Sequence, residues 1–276
     1  MNRDFAKRST HDNMKPASII FKSLFIISCF YGLMLTYESS SSFKIYISYF
    51  TTQSNVLCLV VMIVFLIWKI SGKNKNPRFF RVLKSMTTVS ILVTFIIYHF
   101  LLLPNMEPGM TNVAGGLGNI IVHYVTPIWF FADYMIFETK GYNRMSDLVY
   151  YAVFPMYYFV FSNFRAIDGE LYQYGNTISE FPYPFLDYEV FGIYGVSAAV
   201  LLITVAVLIL GFVFIQIDHI MKKPPERYRV HSYGSISYKP IEMTNDDLSD
   251  SYQPTLESVA VTNVDEQKEK SNHKFE

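Results

Sequence analysis

Six apolar stretches leave this chain few architectures: Ala17 to Thr36, Tyr49 to Trp68, Val82 to Leu103, Leu117 to Phe137, Leu148 to Phe164 and Phe191 to Ile217. Each approaches the ~20 residues a helix needs to cross ~30 Å of hydrocarbon. Lipid offers an unpaired backbone group no partner, so such spans must close their hydrogen bonds internally, as helices. The expected fold class is all-α, a polytopic membrane bundle of six transmembrane helices. A content of 51% hydrophobic and 17% aromatic residues, too apolar for an ordinary soluble domain, agrees with it.

A net charge of zero hides an asymmetry that orients the spans. Four Lys and Arg residues precede the first span, only Lys44 follows it, and Lys69, Lys73, Lys75, Arg78 and Arg81 come after the second. The third connection has none, the fourth has Lys140 and Arg144, the fifth has Arg165, and Lys222, Lys223, Arg227 and Arg229 follow the last span. The positive-inside rule then puts both termini in the cytoplasm. The domain plan is a cytoplasmic arm over 1–16, a six-helix transmembrane domain over 17–220 and a disordered cytoplasmic tail over 221–276, polar and poor in aliphatics. The first span reads as an uncleaved signal anchor. Cys29 and Cys58 fall inside spans and belong to no extracellular disulfide framework.

Two polar islands interrupt the apolar runs, Phe50-Thr51-Thr52-Gln53-Ser54-Asn55 and Asn119-Ile120-Ile121-Val122-His123. At ~1.5 Å per residue from the inner helix ends, Thr51, His123 and His99 all fall in the outer third of the bilayer. Spacings of three and four put Thr51, Ser54 and Asn55 on one helix face, and Asn119 and His123 on another. Polar groups in hydrocarbon face one another or a water-filled cavity, so the islands are expected to meet. A hydroxyl becomes a nucleophile when a neighbouring base takes its proton, which makes Thr51 and His123 the candidate catalytic pair. Ser54, Asn55 or Asn119 would hold the imidazole or donate to an oxyanion. The structural alternative is that these side chains cap a helix start and bond neighbouring helices.

Pro127, four residues after His123, is expected to free the His123 carbonyl and kink the helix. Asp187 in the fifth connection is a candidate orienter folding back, and Arg165 a candidate clamp for an anionic headgroup. His99, His123 and Asp187 are a weak metal set, because two His on separate helices lack the i,i+4 pairing of a ligand motif. Asp133, deeper in the fourth span, reads either as a proton-handling carboxylate or as a partner of a nearby Tyr. The turn Phe181-Pro182-Tyr183-Pro184-Phe185-Leu186-Asp187 is stiffened by two prolines and reads as a lid on the bundle mouth or an interfacial aromatic anchor. In the tail, Tyr233-Gly234-Ser235-Ile236 and Tyr238-Lys239-Pro240-Ile241 match the tyrosine-x-x-bulky-apolar signal read by clathrin adaptors.

The stretches Phe50 to Asn55, His123-Tyr124-Val125-Thr126-Pro127 and Tyr183-Pro184-Phe185-Leu186-Asp187 resemble, in that order and within 17–220, a family of uncharacterised six-span integral membrane proteins. More remotely, a Thr opening the second span and a His high in the fourth are similar to the androgen-induced membrane hydrolases. Those act on fatty acid esters of hydroxy fatty acids, and the resemblance implies Thr51 as nucleophile and His123 as base. Gln53-Ser54-Asn55 and the longer tail depart from that family. The expectation is a threonine-type lipid ester hydrolase of the plasma or endolysosomal membrane, with membrane lipids and clathrin adaptors as partners and no cofactor, metal or nucleic acid. The competing expectation is a nonenzymatic membrane protein, either a small-solute or lipid carrier or a structural partner.

Overall fold

The computed structural model describes residues 3–72, 77–105, 116–174, 177–222, 230–232 and 235–237. The chain divides into two compact units, Met1–Lys223 and Pro224–Glu276. The first unit is helical: α1 (Arg3–Glu38), a short α2 (Phe43–Ser48), α3 (Phe50–Ile70), α4 (Arg78–Leu102), α5 (Leu117–Phe137), α6 (Leu148–Ile167) and α7 (Tyr188–Ile220). Its described strands are one hairpin before α7, β1 (Tyr172–Tyr174) paired antiparallel with β2 (Thr177–Ser179).

Five helices, α1 from Lys15, α3, α4, α5 and α7, are long and apolar enough to cross a membrane. The sixth, α6, has 20 residues but is interrupted by Tyr150, Tyr151, Tyr157 and Tyr158, which dilute its apolarity. The arm expected over 1–16 is helical from Arg3 and runs into the first span with Pro16 inside it. A formed helix extends at the gain of one hydrogen bond per residue, so a polar flank need not break it.

α4 sits at the centre, packed against α3, α5, α6 and α7, while α1 covers α3 and α5. One apolar cluster joins α1, α3, α4 and α5 through Phe25, Cys29, Cys58, Met62, Ile91 and Phe130. The other joins the start of α3 to α4, α6, α7 and the turn before α7, through Phe50, Val93, Tyr158, Tyr183 and Phe214. α1 and α5 approach closely because Gly32 and Gly118 carry no side chain. A Cβ on Gly32 would lie 2.4 Å from Ile121 Cγ2, and one on Gly118 2.8 Å from Leu35 Cβ. Small residues at such crossings let helices pack backbone to backbone where lipid supplies no hydrophobic drive.

The helices give the bundle two ends. α4 starts, and α3, α5 and α7 finish, at the proximal end; α3 and α7 start, and α4 finishes, at the distal end. α7 is capped at its start by Asp187, whose Oδ1 accepts the Glu189 amide at 2.8 Å, and is interrupted at Gly192, whose φ of 63° suits glycine.

In the second unit, where the sequence reading expects no order, the described residues pair as a hairpin, Val230–Ser232 with Ser235–Ser237. Tyr233 and Tyr238 lie outside the described residues.

Candidate functional site

α3 starts at the distal end without a side-chain cap: Tyr49 precedes it in extended conformation (φ −78°, ψ 137°) and offers no hydrogen bond of its own. Thr51 is the second residue of that first turn, where backbone amides have no intrahelical acceptor. The elbow between α2 and α3 is pinned from α6. Tyr158 donates its hydroxyl to the Ser48 carbonyl at 2.9 Å, and Arg165 Nε donates to Ser48 Oγ at 2.9 Å.

The two polar islands meet. Thr51 Oγ1 lies 3.1 Å from His123 Nε2, and His123 Nδ1 lies 3.0 Å from the backbone carbonyl of Asn119. A carbonyl only accepts, so Nδ1 carries the proton and Nε2 of the neutral ring accepts from the Thr51 hydroxyl. His123 is buried, 8% exposed, and the ring of Tyr98 stacks on it at 3.7 Å between centroids and 19° between planes. Asn119 donates its side-chain amide to the Tyr98 hydroxyl, so one residue fixes both stacked rings.

The helix around His123 is a π turn, Ile121–Val125, in which the Thr126 amide reaches back five residues to Ile121 O. Thr126 N–H is thereby taken and Pro127 has none, so the Val122 carbonyl loses both its helical partners, beside the His123 carbonyl whose i+4 amide Pro127 also lacks. Asn55 satisfies it: its Nδ2 donates to Val122 O at 3.0 Å and to Thr51 O at 2.8 Å. One amide thus locks the turn bearing Thr51 to the turn bearing His123. Tyr98 sits in a second π turn, Tyr98–Leu102. Such turns re-aim side chains within a helix and recur at functional sites.

The other expected site residues have different employment. Ser54 Oγ lies 3.0 Å from Thr51 O and 2.8 Å from Thr94 Oγ1, joining α3 to α4 rather than touching the imidazole. His99 is exposed and its Nδ1 lies 3.0 Å from the Tyr124 hydroxyl. Asp187 caps α7 and accepts from Ser179 Oγ at 2.6 Å, so it is neither the orienter of His123 nor a metal ligand beside it. Arg165, 7% exposed, faces Ser48, Asp168 and Glu170, which turns its charge toward the protein and away from a headgroup. Among the described residues no group of three His, Cys, Asp or Glu is placed to hold a metal.

Tyr183, from the proline-rich turn, was assigned no chemistry on sequence grounds. Its hydroxyl lies 3.4 Å from the Thr51 amide and 3.5 Å from Thr51 Oγ1. Its ring is buried, stacked on Phe185 at 5.3 Å and set edge-on to Tyr49 and Tyr158. Burial pushes the phenol above its ordinary value. Beside it runs a cleft lined by Thr51, Tyr183 and otherwise mostly apolar residues of α4, α6 and α7, among them Val93, Ile97, Met156, Val200 and Ile203.

A second polar cluster lies at the proximal end. Asp133 accepts from Lys22 Nζ at 2.6 and 2.7 Å and from Lys84 Nζ at 2.9 Å, and Lys22 also reaches Glu138 Oε1 at 3.3 Å. All three principal partners are buried, and Lys84 lies 3.8 Å from the Phe130 ring centre. Asp133 is therefore an ion-pair centre joining α1, α4 and α5. The neighbouring Tyr134 instead donates to Asp218 Oδ1 at 2.8 Å. Lys22 was the readable signal, a charge within an apolar span.

No protein-family model matches the chain, and neither a curated protein nor a solved structure matches it.

Proposed function

We propose that the chain is a six-span membrane hydrolase of lipid esters, with Thr51 as nucleophile and His123 as general base. The observation that carries this reading is the relay Thr51 Oγ1 to His123 Nε2 at 3.1 Å, with Nδ1 held at 3.0 Å by the Asn119 carbonyl, behind a Thr51 that lines an apolar cleft. That carbonyl takes the place of a carboxylate orienter, fixing tautomer and ring direction without adding a charge to the interior. The resemblance to the androgen-induced membrane hydrolases, and the resemblance of the three motifs to six-span proteins, support the same assignment. With the termini cytoplasmic, the site opens toward the outer leaflet.

In the reaction, His123 Nε2 takes the Thr51 proton as Oγ1 bonds to the ester carbonyl carbon and the carbonyl electrons move to oxygen. Collapse of this intermediate breaks the bond to the leaving alcohol, which receives the proton from His123. Water, deprotonated by the same nitrogen, then cleaves the acyl-threonine and restores the hydroxyl. Apolar walls suit an acyl chain and exclude bulk water, which strengthens each hydrogen bond to developing charge.

An active-site fluorophosphonate probe tests the reading on the full chain in mixed micelles. Wild-type protein should label covalently, and Thr51→Ala should abolish labelling. His123→Ala should slow it by about 10²-fold or more. Labelling that survives both substitutions would sink the assignment.

A further inference from the structure

We propose that Tyr183 is a catalytic residue, donating its hydroxyl proton to the oxyanion that forms when Thr51 attacks an ester carbonyl; the assignment rests on the hydrolase reading above. The Tyr183 hydroxyl accepts the Thr51 amide on a lone pair at 3.4 Å, so its own proton is the one it can donate. Thr51 Oγ1, which spends its own proton on His123 at 3.1 Å and keeps its lone pairs, receives it in the resting site only at 3.5 Å, a long and weak contact. Thr51 and Tyr183 share a wall of the cleft, so a carbonyl oxygen bonded through its carbon to Oγ1 can turn toward this hydroxyl and come closer to it than Oγ1 does. A donor whose resting contact is long and which closes on charge as it develops stabilises a transition state selectively.

The donor is also held still. Leu186 N–H bonds back to Tyr183 O at 3.0 Å and Asp187 N–H to Pro184 O at 3.0 Å, closing the turn. Ser179 ties the turn's two flanks, accepting the Phe181 amide at 3.0 Å and donating to Asp187 at 2.6 Å. This scaffold serves an oxyanion donor, which gains nothing if it must reorganise during reaction. The titratable groups facing the hydroxyl are the phenols of Tyr49, Tyr158 and Tyr174 and, beyond Thr51, the His123 imidazole.

The test measures hydrolysis of 4-methylumbelliferyl oleate by the full chain in mixed micelles. Tyr183→Phe should lower kcat by about 10²-fold, leave KM within about twofold and slow fluorophosphonate labelling in parallel. Replacing Tyr183 with 3,5-difluorotyrosine keeps the ring and the amide contact but ionises well below the ordinary tyrosine value of about 10. The alkaline fall in kcat should move to lower pH with it, a shift that a packing role does not produce. If Tyr183→Phe does not fold, the difluorotyrosine protein decides alone. Wild-type kcat in Tyr183→Phe, or an unmoved pH profile in the difluorotyrosine protein, would overturn the assignment while leaving Thr51 and His123 in place. A wild-type protein that neither hydrolyses nor labels would overturn both.

Discussion

Asp133 faces two ammonium groups, and the arithmetic of that cluster predicts an unequal response to mutation. Lys22 is 2% exposed, Lys84 1% and Asp133 0%, so none can trade its partner for water. Removing the carboxylate charge with Asp133→Asn strands Lys84 and leaves Lys22 with only the longer contact to Glu138 at 3.3 Å, and should destabilise the protein by about 3–5 kcal/mol. Lys22→Met leaves Asp133 paired with Lys84 at 2.9 Å and keeps an unbranched side chain of similar length, so it should cost clearly less. Chemical unfolding in mixed micelles ranks the two variants, and equal losses would show that the cluster does not act through the shared carboxylate. The same comparison separates this cluster from the chemistry at Thr51, because fluorophosphonate labelling of folded Lys22→Met should match wild type.

Helix pairing carries the link between Pro127 and Asn55, and it can be measured as a coupling. Pro127 deprives Val122 O of an amide, and Asn55 Nδ2 replaces it at 3.0 Å. Asn55→Ala should therefore cost about 1–2 kcal/mol in the native background. In a Pro127→Ala background the restored amide can serve the helix carbonyls, so the same substitution should cost less. A double-mutant cycle should return a coupling of about 1 kcal/mol, and strict additivity would refute the exchange. This pair marks how far the sequence could be read. Helical spans, a common depth and one polar face per helix were all readable from spacing, and they placed Thr51 near His123. The π register was not, because it frees the Val122 carbonyl as well and no periodicity in Asn119 to Pro127 signals that turn. Tyr183 was hidden for another reason: it comes to Thr51 through a long connection whose path spacing does not set. Asp187 was misassigned although its position just before a helix start, ahead of Tyr188 and Glu189, is an ordinary capping signal.

At the scale of the whole molecule the open quantity is whether α6 crosses the membrane, since that decides on which side the chain ends. Its 20 residues span ~30 Å, the thickness of the hydrocarbon core. Its flanks are tied to opposite ends of the bundle: Asp147, just before it, bonds Arg78 at 2.7 Å where α4 starts, and Arg165 bonds Ser48 where α3 starts. Two tyrosines that dilute its apolarity also have protein acceptors, Tyr151 at Asn143 Oδ1 and Tyr158 at Ser48 O, so those hydroxyls need not face lipid unpaired. Single cysteines at exposed positions test the crossing without first removing Cys29 and Cys58, which are both 0% exposed. In sealed vesicles, a membrane-impermeant maleimide should reach Ser71→Cys and Ser146→Cys from one side, and Ser39→Cys and Leu171→Cys from the other. Ser146→Cys and Leu171→Cys reacting from the same side would reduce α6 to a re-entrant or surface helix. The cleft wall built from Met156, Val200 and Ile203 would then no longer lie at the depth of an acyl chain, so this topology measurement also bears on what the Thr51 site can receive.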